Sequence, residues 1–191
     1  MTGVERAARA IAAGELVVYP TETVYGLGAD ALDPDAVRRV FAAKGRDRSN
    51  PVSLGVPDVD AALSHTRPTE RAEAFMREFL PGPVTVLVER RETVPDALTA
   101  GRDRVGVRIP DHVLALDLLR AAGPLTATSA NVSGTGSVRS IEGLDQAVGD
   151  AAAVVLDGGE TPGTESTVVD PETGEIVREG ARAGEIRDWL Q

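Results

Sequence analysis

The chain has 191 residues, no cysteine and a formal net charge of −10, with a pI of about 4.7. A chain of that length buries ~70% of its unfolded surface in one domain; the missing cysteines exclude disulfides, thiolate metal sites and thiol nucleophiles, and the negative charge excludes nucleic-acid binding by a general cationic surface. No apolar run approaches the ~18 residues of a membrane span, so residues 1–191 read as one cytoplasmic domain with no membrane partner.

Glu5 to Ala13 predicts a first helix, with Val4, Ala7, Ala8 and Ile11 on one face and Gly14 as its stop. Leu16 to Tyr19 is a continuous apolar run, the pattern of a strand covered on both faces, and Pro20 ends it because it has no ladder N–H. A polar, glycine-bearing loop follows. Asp33 and Pro34 then open a second helix as N-cap and first-turn proline, Val37, Val40 and Phe41 give its apolar stripe, and Gly45 closes it. Asn50-Pro51 leads into a strand running to about Val56, Pro57-Asp58 starts a short helix around Ala61 to Leu63, and Pro68 starts another that keeps Ala72, Phe75, Met76 and Phe79 in helical register.

After the turn Pro81-Gly82-Pro83, Val84 to Val88 alternates as a half-buried strand, and RVGVRIP supplies another that ends at Pro110. Asp111 is expected to cap a helix through Leu119, and Pro124 opens a strand that runs out into Thr126, Thr128, Ser129, Asn131 and Ser133. Ile141 to Val148 reads as a helix and Ala153 to Leu156 as a strand. Thr167 to Val169 and Glu175 to Val177 pair across PETG as a hairpin, and a last helix from about Glu185 to Leu190 buries Ile186 and Trp189. Strands alternating with helices, plus one hairpin, predict an α/β fold: a twisted mixed sheet flanked by helices on both faces.

Lys44 is the only lysine, the other 19 of the 20 basic residues being arginine. A compact ammonium suits phosphate oxygens that shift during a reaction, whereas the planar arginine fork suits a fixed carboxylate or phosphate. The bland alternative is a cation meeting the helix C-terminus, which arginine would serve equally well. Around Lys44 the chain places three polar loops at strand ends, where α/β ligands sit: Thr21, Thr23 and Tyr25; Lys44 to Asn50; and Ser129-Ala130-Asn131. Arg108, Glu165-Ser166-Thr167 and Arg178 join them. The sum is cationic and hydroxyl-rich without a nucleophile–base pair, which suits transfer at phosphorus, where positioning and charge neutralisation dominate. Taken singly, SANVSG is also what a capped turn looks like, and Arg108 or Arg178 what a surface ion pair looks like. There is no Walker string, and Gly26-Leu27-Gly28 has the wrong spacing for a dinucleotide fingerprint.

In order from about Tyr19 to Gly180, PTETVYGLG, KGR followed by NP, PGPVT, VGVRIP, TSANVSG and ESTVVD together resemble the YrdC-like threonylcarbamoyl-AMP synthases. The resemblance implies a mixed-sheet α/β domain around a concave, positively charged cleft, in the short single-domain form. It implies a reaction in which L-threonine, bicarbonate and ATP, with Mg²⁺, give threonylcarbamoyl-AMP and pyrophosphate for a downstream transferase that modifies tRNA. Carried over motif by motif, Lys44, Arg46, Ser129 and Asn131 are the catalytic set; Arg46, Asn50, Asn131 and Arg178 grip the nucleotide; Thr23, Arg108, Ser129 and Ser166 grip threonine. Contact with tRNA or double-stranded RNA would be weak and confined to the cleft's mouth. The sequence departs from the family's usual pattern at Gly55, where a histidine is usual, and at Ser137-Val138-Arg139, where Ser-Pro-Thr is common. Two rivals accompany this reading: a non-catalytic paralogue that binds nucleotide or RNA, and a carbamoyl-handling enzyme of hydrogenase maturation, which the absence of cysteine and of further domains disfavours.

Overall fold

The computed structural model describes residues 1–191 as nine strands and eight α-helices arranged around two mixed sheets rather than one. Helix α1 (Gly3–Ala12) begins with a capping box between Thr2 and Glu5 and leads into β1 (Leu16–Tyr19). This strand is the middle of the smaller sheet, antiparallel to β2 (Gly26–Gly28) and parallel to β7 (Ala152–Val155). As its unbroken apolar run predicts, β1 is covered on both faces. Leu16 and Val18 pack with Val40 of α2 (Pro34–Lys44) and Val148 of α7 (Gln146–Ala151). Val17 and Tyr19 pack with Ile11 of α1 and Leu118 of α6 (Val113–Ala122).

The larger sheet has the order β6-β3-β5-β4-β8-β9, from β6 (Leu125–Ala127), β3 (Ser53–Gly55), β5 (Arg104–Arg108), β4 (Val84–Glu89), β8 (Thr167–Asp170) and β9 (Glu175–Arg178). Its apolar phase, Leu54, Val84, Val86, Val88, Val105, Val107 and Val169, lies in the main core with Ala62 of α3 (Val59–Leu63), Phe75 of α4 (Glu70–Phe79), Leu98 of α5 (Asp96–Thr99) and Ile186 of α8 (Ala183–Leu190). Phe75 stacks on Phe79 at 4.4 Å between ring centres and takes the Trp189 ring edge-on at 5.0 Å, which seats α8 on α4. No helix is long and apolar enough to cross a membrane.

Several elements depart from the sequence expectation. The predicted loop Gly26-Leu27-Gly28 is a strand, because the Tyr19 ring lies against it: a Cβ at Gly26 or Gly28 would sit 2.9 Å from that ring, so only glycine lets the two strands pair there. The cap of α6 is His112 rather than Asp111, and no side-chain bond closes it. The predicted helix Ile141 to Val148 divides into a 3₁₀ turn, Ile141–Gly143, and α7. The short α5 has no sequence expectation behind it. The helices of the main core cover one face of the larger sheet, while the other face lines a cavity and meets α6 only toward β3 and β6, where a Cβ at Gly55 would lie 3.6 Å from Leu119.

Arg104 fastens the hairpin β8–β9 to the sheet. Its guanidinium holds Asp170 through both carboxylate oxygens, at 2.6 and 2.9 Å, and donates to Leu87 O at 2.9 Å. Burial alone would raise the Asp170 carboxyl, but Arg104 and the amides of Glu172 and Thr173 more than offset it and hold it below the ordinary carboxylate value. A lowered carboxylate pKa adds stability above the unfolded value that is lost as pH falls through the folded one. Asp170→Asn is therefore expected to cost about 1–3 kcal/mol at neutral pH and progressively less below pH about 4. Urea titrations across pH 3 to 7 check this, and a constant difference would count against the ion pair.

Candidate active site

The second phase of the same strands forms the floor of a cavity of about 700 Å³. Ser53 and Gly55 of β3, Thr85 and Leu87 of β4, Arg104, Gly106 and Arg108 of β5, and Val168 of β8 all line it, each alternating with a core residue. The strand period of two thus gives one face to the core and the other to the cavity. Tyr19, Thr21, Thr23, Val24 and Gly26, from the smaller sheet and its connecting loop, complete the wall. Gly106 sets the floor's depth, since a Cβ there would lie 2.7 Å from Ser53 Oγ and 2.8 Å from Thr85 Cγ2.

Six of the nine residues singled out from the sequence meet on this cavity: Thr23, Arg46, Arg108, Ser129, Ser166 and Arg178. Arg108 is only 7% exposed. Its Nη1 donates to Gly82 O and to Ile109 O at 3.2 Å, and its Nη2 donates to Glu22 Oε1 at 2.8 Å and Thr23 Oγ1 at 3.5 Å. Thr23 Oγ1 also shares a hydrogen bond of 2.8 Å with Thr21 Oγ1. Ser166 Oγ lies 3.0 Å from Thr85 Oγ1 and accepts from Arg178 Nη2 at 3.1 Å. Arg46 donates to Asn50 O and Pro51 O, both at 3.0 Å, which folds the α2–β3 loop back along the rim. Burial and the neighbouring Arg178 cation both lower the Arg46 pKa. Glu165 lies beside these cations, 3.3 Å from Arg178 Nη1 and accepting from Ser137 Oγ at 2.6 Å.

Lys44, Asn50 and Asn131 do not line the cavity. Lys44 is 1% exposed, and its ammonium donates to Ser129 O and to Asn131 O at 2.6 Å, tying α2 to the Ser129–Asn131 loop. Burial, seconded by the Arg46 charge, brings its pKa down to about 8. The Asn50 side chain is exposed. Asn131 commits its amide to Val132 O and Thr135 O at 2.9 Å, leaving Oδ1 buried without a partner. The residues that sequence reasoning passed over are Glu22, Ser53 and Thr85. The alternation of Thr85 with Val84 and Val86 carried a signal for one of them, although it reads equally well as a solvent face.

The charged lining consists of Arg46, Arg102, Arg104, Arg108 and Arg178 against Asp103 and Glu165. Two mixed sheets enclosing a cavity lined by arginines and hydroxyls define an α/β domain whose cavity has the donors to take a small anionic ligand. The family described as Telomere recombination, which groups Sua5, YciO and YrdC, matches residues 9–180, and the chain belongs to it. It is 44% identical over 168 residues to a threonylcarbamoyl-AMP synthase of Pyrococcus abyssi, covering 86% of this chain and 49% of that protein. It is 33% identical over 190 residues to the synthase of Vibrio parahaemolyticus, covering 94% and 100% respectively. The crystal structure of P. abyssi Sua5 complexed with L-threonine superposes with a TM-score of 0.89 at 39% identity, over 97% of this chain and 56% of that one. The chain thus spans about half the length of the first of these relatives.

Proposed function

We propose that the chain is an L-threonylcarbamoyladenylate synthase: the L-threonine amine and bicarbonate form the carbamate with loss of water, a carbamate oxygen attacks the α-phosphorus of ATP, and pyrophosphate leaves. The observation that carries this reading is the convergence of Thr23, Arg46, Arg108, Ser129, Ser166 and Arg178 on one cavity. Arg108 and Thr23 form one end, suited to an amino-acid carboxylate and hydroxyl, and Ser166, which accepts from Arg178 Nη2 at 3.1 Å, joins it to the other. Arg46 and Arg178 form the other, where two neighbouring guanidiniums against the single carboxylate Glu165 leave a net positive charge that suits phosphates. Lys44 acts from behind, holding the backbone of Ser129 and Asn131 and adding its charge. Asn131, off the cavity with its amide committed to Val132 O and Thr135 O and its Oδ1 buried, supports the Ser129 loop from behind as Lys44 does. Asn50 bounds the nucleotide end through its carbonyl on Arg46.

No cluster of three or more carboxylate or imidazole side chains stands ready to cage a metal, so Mg²⁺ enters as the counter-ion of ATP, part of the substrate. The product, an adenylate, goes to a transferase that acts on tRNA. With a net charge of −10 on the chain, any RNA contact would be weak and confined to the cavity mouth.

Pyrophosphate release from ATP, measured with and without L-threonine and bicarbonate and with mass detection of the adenylate, tests the assignment. Release that ignores both co-substrates would sink it. Gly55 lies on the cavity floor next to Arg108 in the sheet, and a Cβ there meets Leu125 O at 3.3 Å, a contact that requires β6 to shift by a few tenths of an ångström. Gly55→His is expected to lower the KM for threonine while kcat stays within about threefold, the pattern of added uniform binding. Initial rates over a threonine series check it, and an unchanged or raised KM would show that position 55 does not reach the amino acid.

A further inference from the structure

Arg108 is held in a way that the proposed grip on a carboxylate does not require. Its four terminal N–H groups all point at protein acceptors, Gly82 O, Ile109 O, Glu22 Oε1 and Thr23 Oγ1. Only Nε–H and the long 3.5 Å bond to Thr23 remain for a ligand. Glu22 does not line the cavity; it sits behind Arg108, its side chain 17% exposed, as the buried counter-ion. Its second oxygen, Oε2, is buried with no partner. A carboxylate kept in so costly a position, one acceptor unmatched, calls for a reason beyond hydrogen bonding, because the two carbonyls already anchor the guanidinium.

The two ends of the cavity differ in charge. Arg46 and Arg178 lie close enough for one cation to lower the pKa of the other, and the partly exposed Glu165 pairs with Arg178, so that end is net positive. The Arg108 end carries one cation and one buried anion and is net neutral. A net-positive site favours the ligand with the most negative charge, whereas a neutral pair keeps directed donors without that preference. Resting on the synthase reading, we infer that Glu22 is a specificity-determining residue: it neutralises Arg108 so that this end takes a zwitterionic amino acid and rejects free phosphate and pyrophosphate. Without Glu22, ATP, pyrophosphate and inorganic phosphate, all more highly charged than threonine, would compete for Arg108. With it, the two substrates sort themselves along one cavity.

The test is the selectivity of Glu22→Gln, which keeps an oxygen for Arg108 Nη2 and removes the charge. Titration calorimetry with inorganic phosphate, and separately with L-threonine, is run on wild type, Glu22→Gln and Glu22→Asp. Glu22→Gln is expected to gain phosphate affinity by about tenfold or more, the effect of removing one nearby unit charge of like sign to the ligand. That phosphate is expected to compete with threonine in Glu22→Gln and not in the wild type. Adding Arg108→Gln to Glu22→Gln is expected to abolish the new phosphate site. Glu22→Asp, which keeps the charge at shorter reach, is expected to keep phosphate out even if threonine binds more weakly; should Glu22→Gln not fold, Glu22→Ala, which also removes the charge, is measured in its place against the same outcomes. Unchanged phosphate affinity in Glu22→Gln, or phosphate competing with threonine in Glu22→Asp as strongly as in Glu22→Gln, would overturn the inference. Failure of the wild type to bind threonine would count against the synthase reading instead, and the phosphate comparison reads out independently of it.

Discussion

Replacing Lys44 with methionine is expected to cost about 3 kcal/mol of stability and to lower adenylate synthesis by about a hundredfold or more. Methionine matches the shape of the stem and relieves the burial of a charge, but it leaves Ser129 O and Asn131 O facing an apolar group. Hydrogen bonds from a charged donor contribute ~1.5–3 kcal/mol each. The backbone bond from Ser133 N to Lys44 O remains, so the loop should stay attached at one point while Ser129 loses its position on the cavity wall. Lys44→Arg tests the same idea more sharply. A guanidinium is broader than the ammonium it would replace in a site that is 1% exposed, so this variant should also lose activity, and near-normal synthesis by it would return Lys44 to a helix-end cation.

The pH dependence has a definite sign. In the unfolded chain lysine keeps its proton to pH ~10.4, whereas folded Lys44 releases it near 8. Below pH 8 both states are protonated and the burial penalty is fully present. Between about 8 and 10.4 the unfolded chain binds more protons, so this group makes stability rise with pH. Because the neutral amine still offers two N–H groups to two carbonyls, the stability cost of Lys44→Met should grow over that window. Urea midpoints for both proteins at pH 7, 8.5 and 10 measure it, and a cost that shrinks on the alkaline side would refute the assigned shift.

The elements legible in the sequence were those whose signals are local. The apolar run of β1, the Asp33-Pro34 start and Gly45 stop of α2, and the PETG hairpin each need only a few neighbouring residues, and each stands where it was expected. Strand β2 was illegible because its glycines are selected by a ring, Tyr19, on the neighbouring strand. The division into two sheets was hidden for a similar reason, since alternation gives a strand's period but not its neighbours. At the site, motif residues could be named but not their partners. The only lysine signalled a special position, yet nothing in the sequence says that its ammonium faces two carbonyls 85 and 87 residues further along. Glu22 stands inside the PTETVYGLG motif, but nothing there assigned it a role, because its meaning lies in Arg108, 86 residues away.

Arg46→Ala is expected to lower kcat/KM for ATP by about a hundredfold or more, since a preorganised donor at a transferring phosphoryl group commonly supplies ~3–4 kcal/mol. Its effect on the free protein should be far smaller, for two opposing reasons. The Arg46 side chain holds Asn50 O and Pro51 O at 3.0 Å, and losing both bonds loosens the α2–β3 loop. The same change removes one of two adjacent like charges, whose mutual repulsion contributes to the lowered pKa of Arg46, and Arg178 is then left to pair with Glu165 alone. The melting temperature without ligand should therefore move little. What should disappear is the stabilisation that ATP confers, because a ligand raises stability only through its affinity for the folded state, by RT ln(1 + [L]/Kd). A thermal scan over an ATP series separates the cases: a wild-type shift that grows with concentration and a nearly flat response in Arg46→Ala. Arg46→Lys restores a charge but not a planar fork able to serve the two carbonyls and a phosphate together, and should fall between them. If ATP stabilises Arg46→Ala as strongly as the wild type, the phosphates are held elsewhere, and the assignment of the Arg46–Arg178 end to the nucleotide falls.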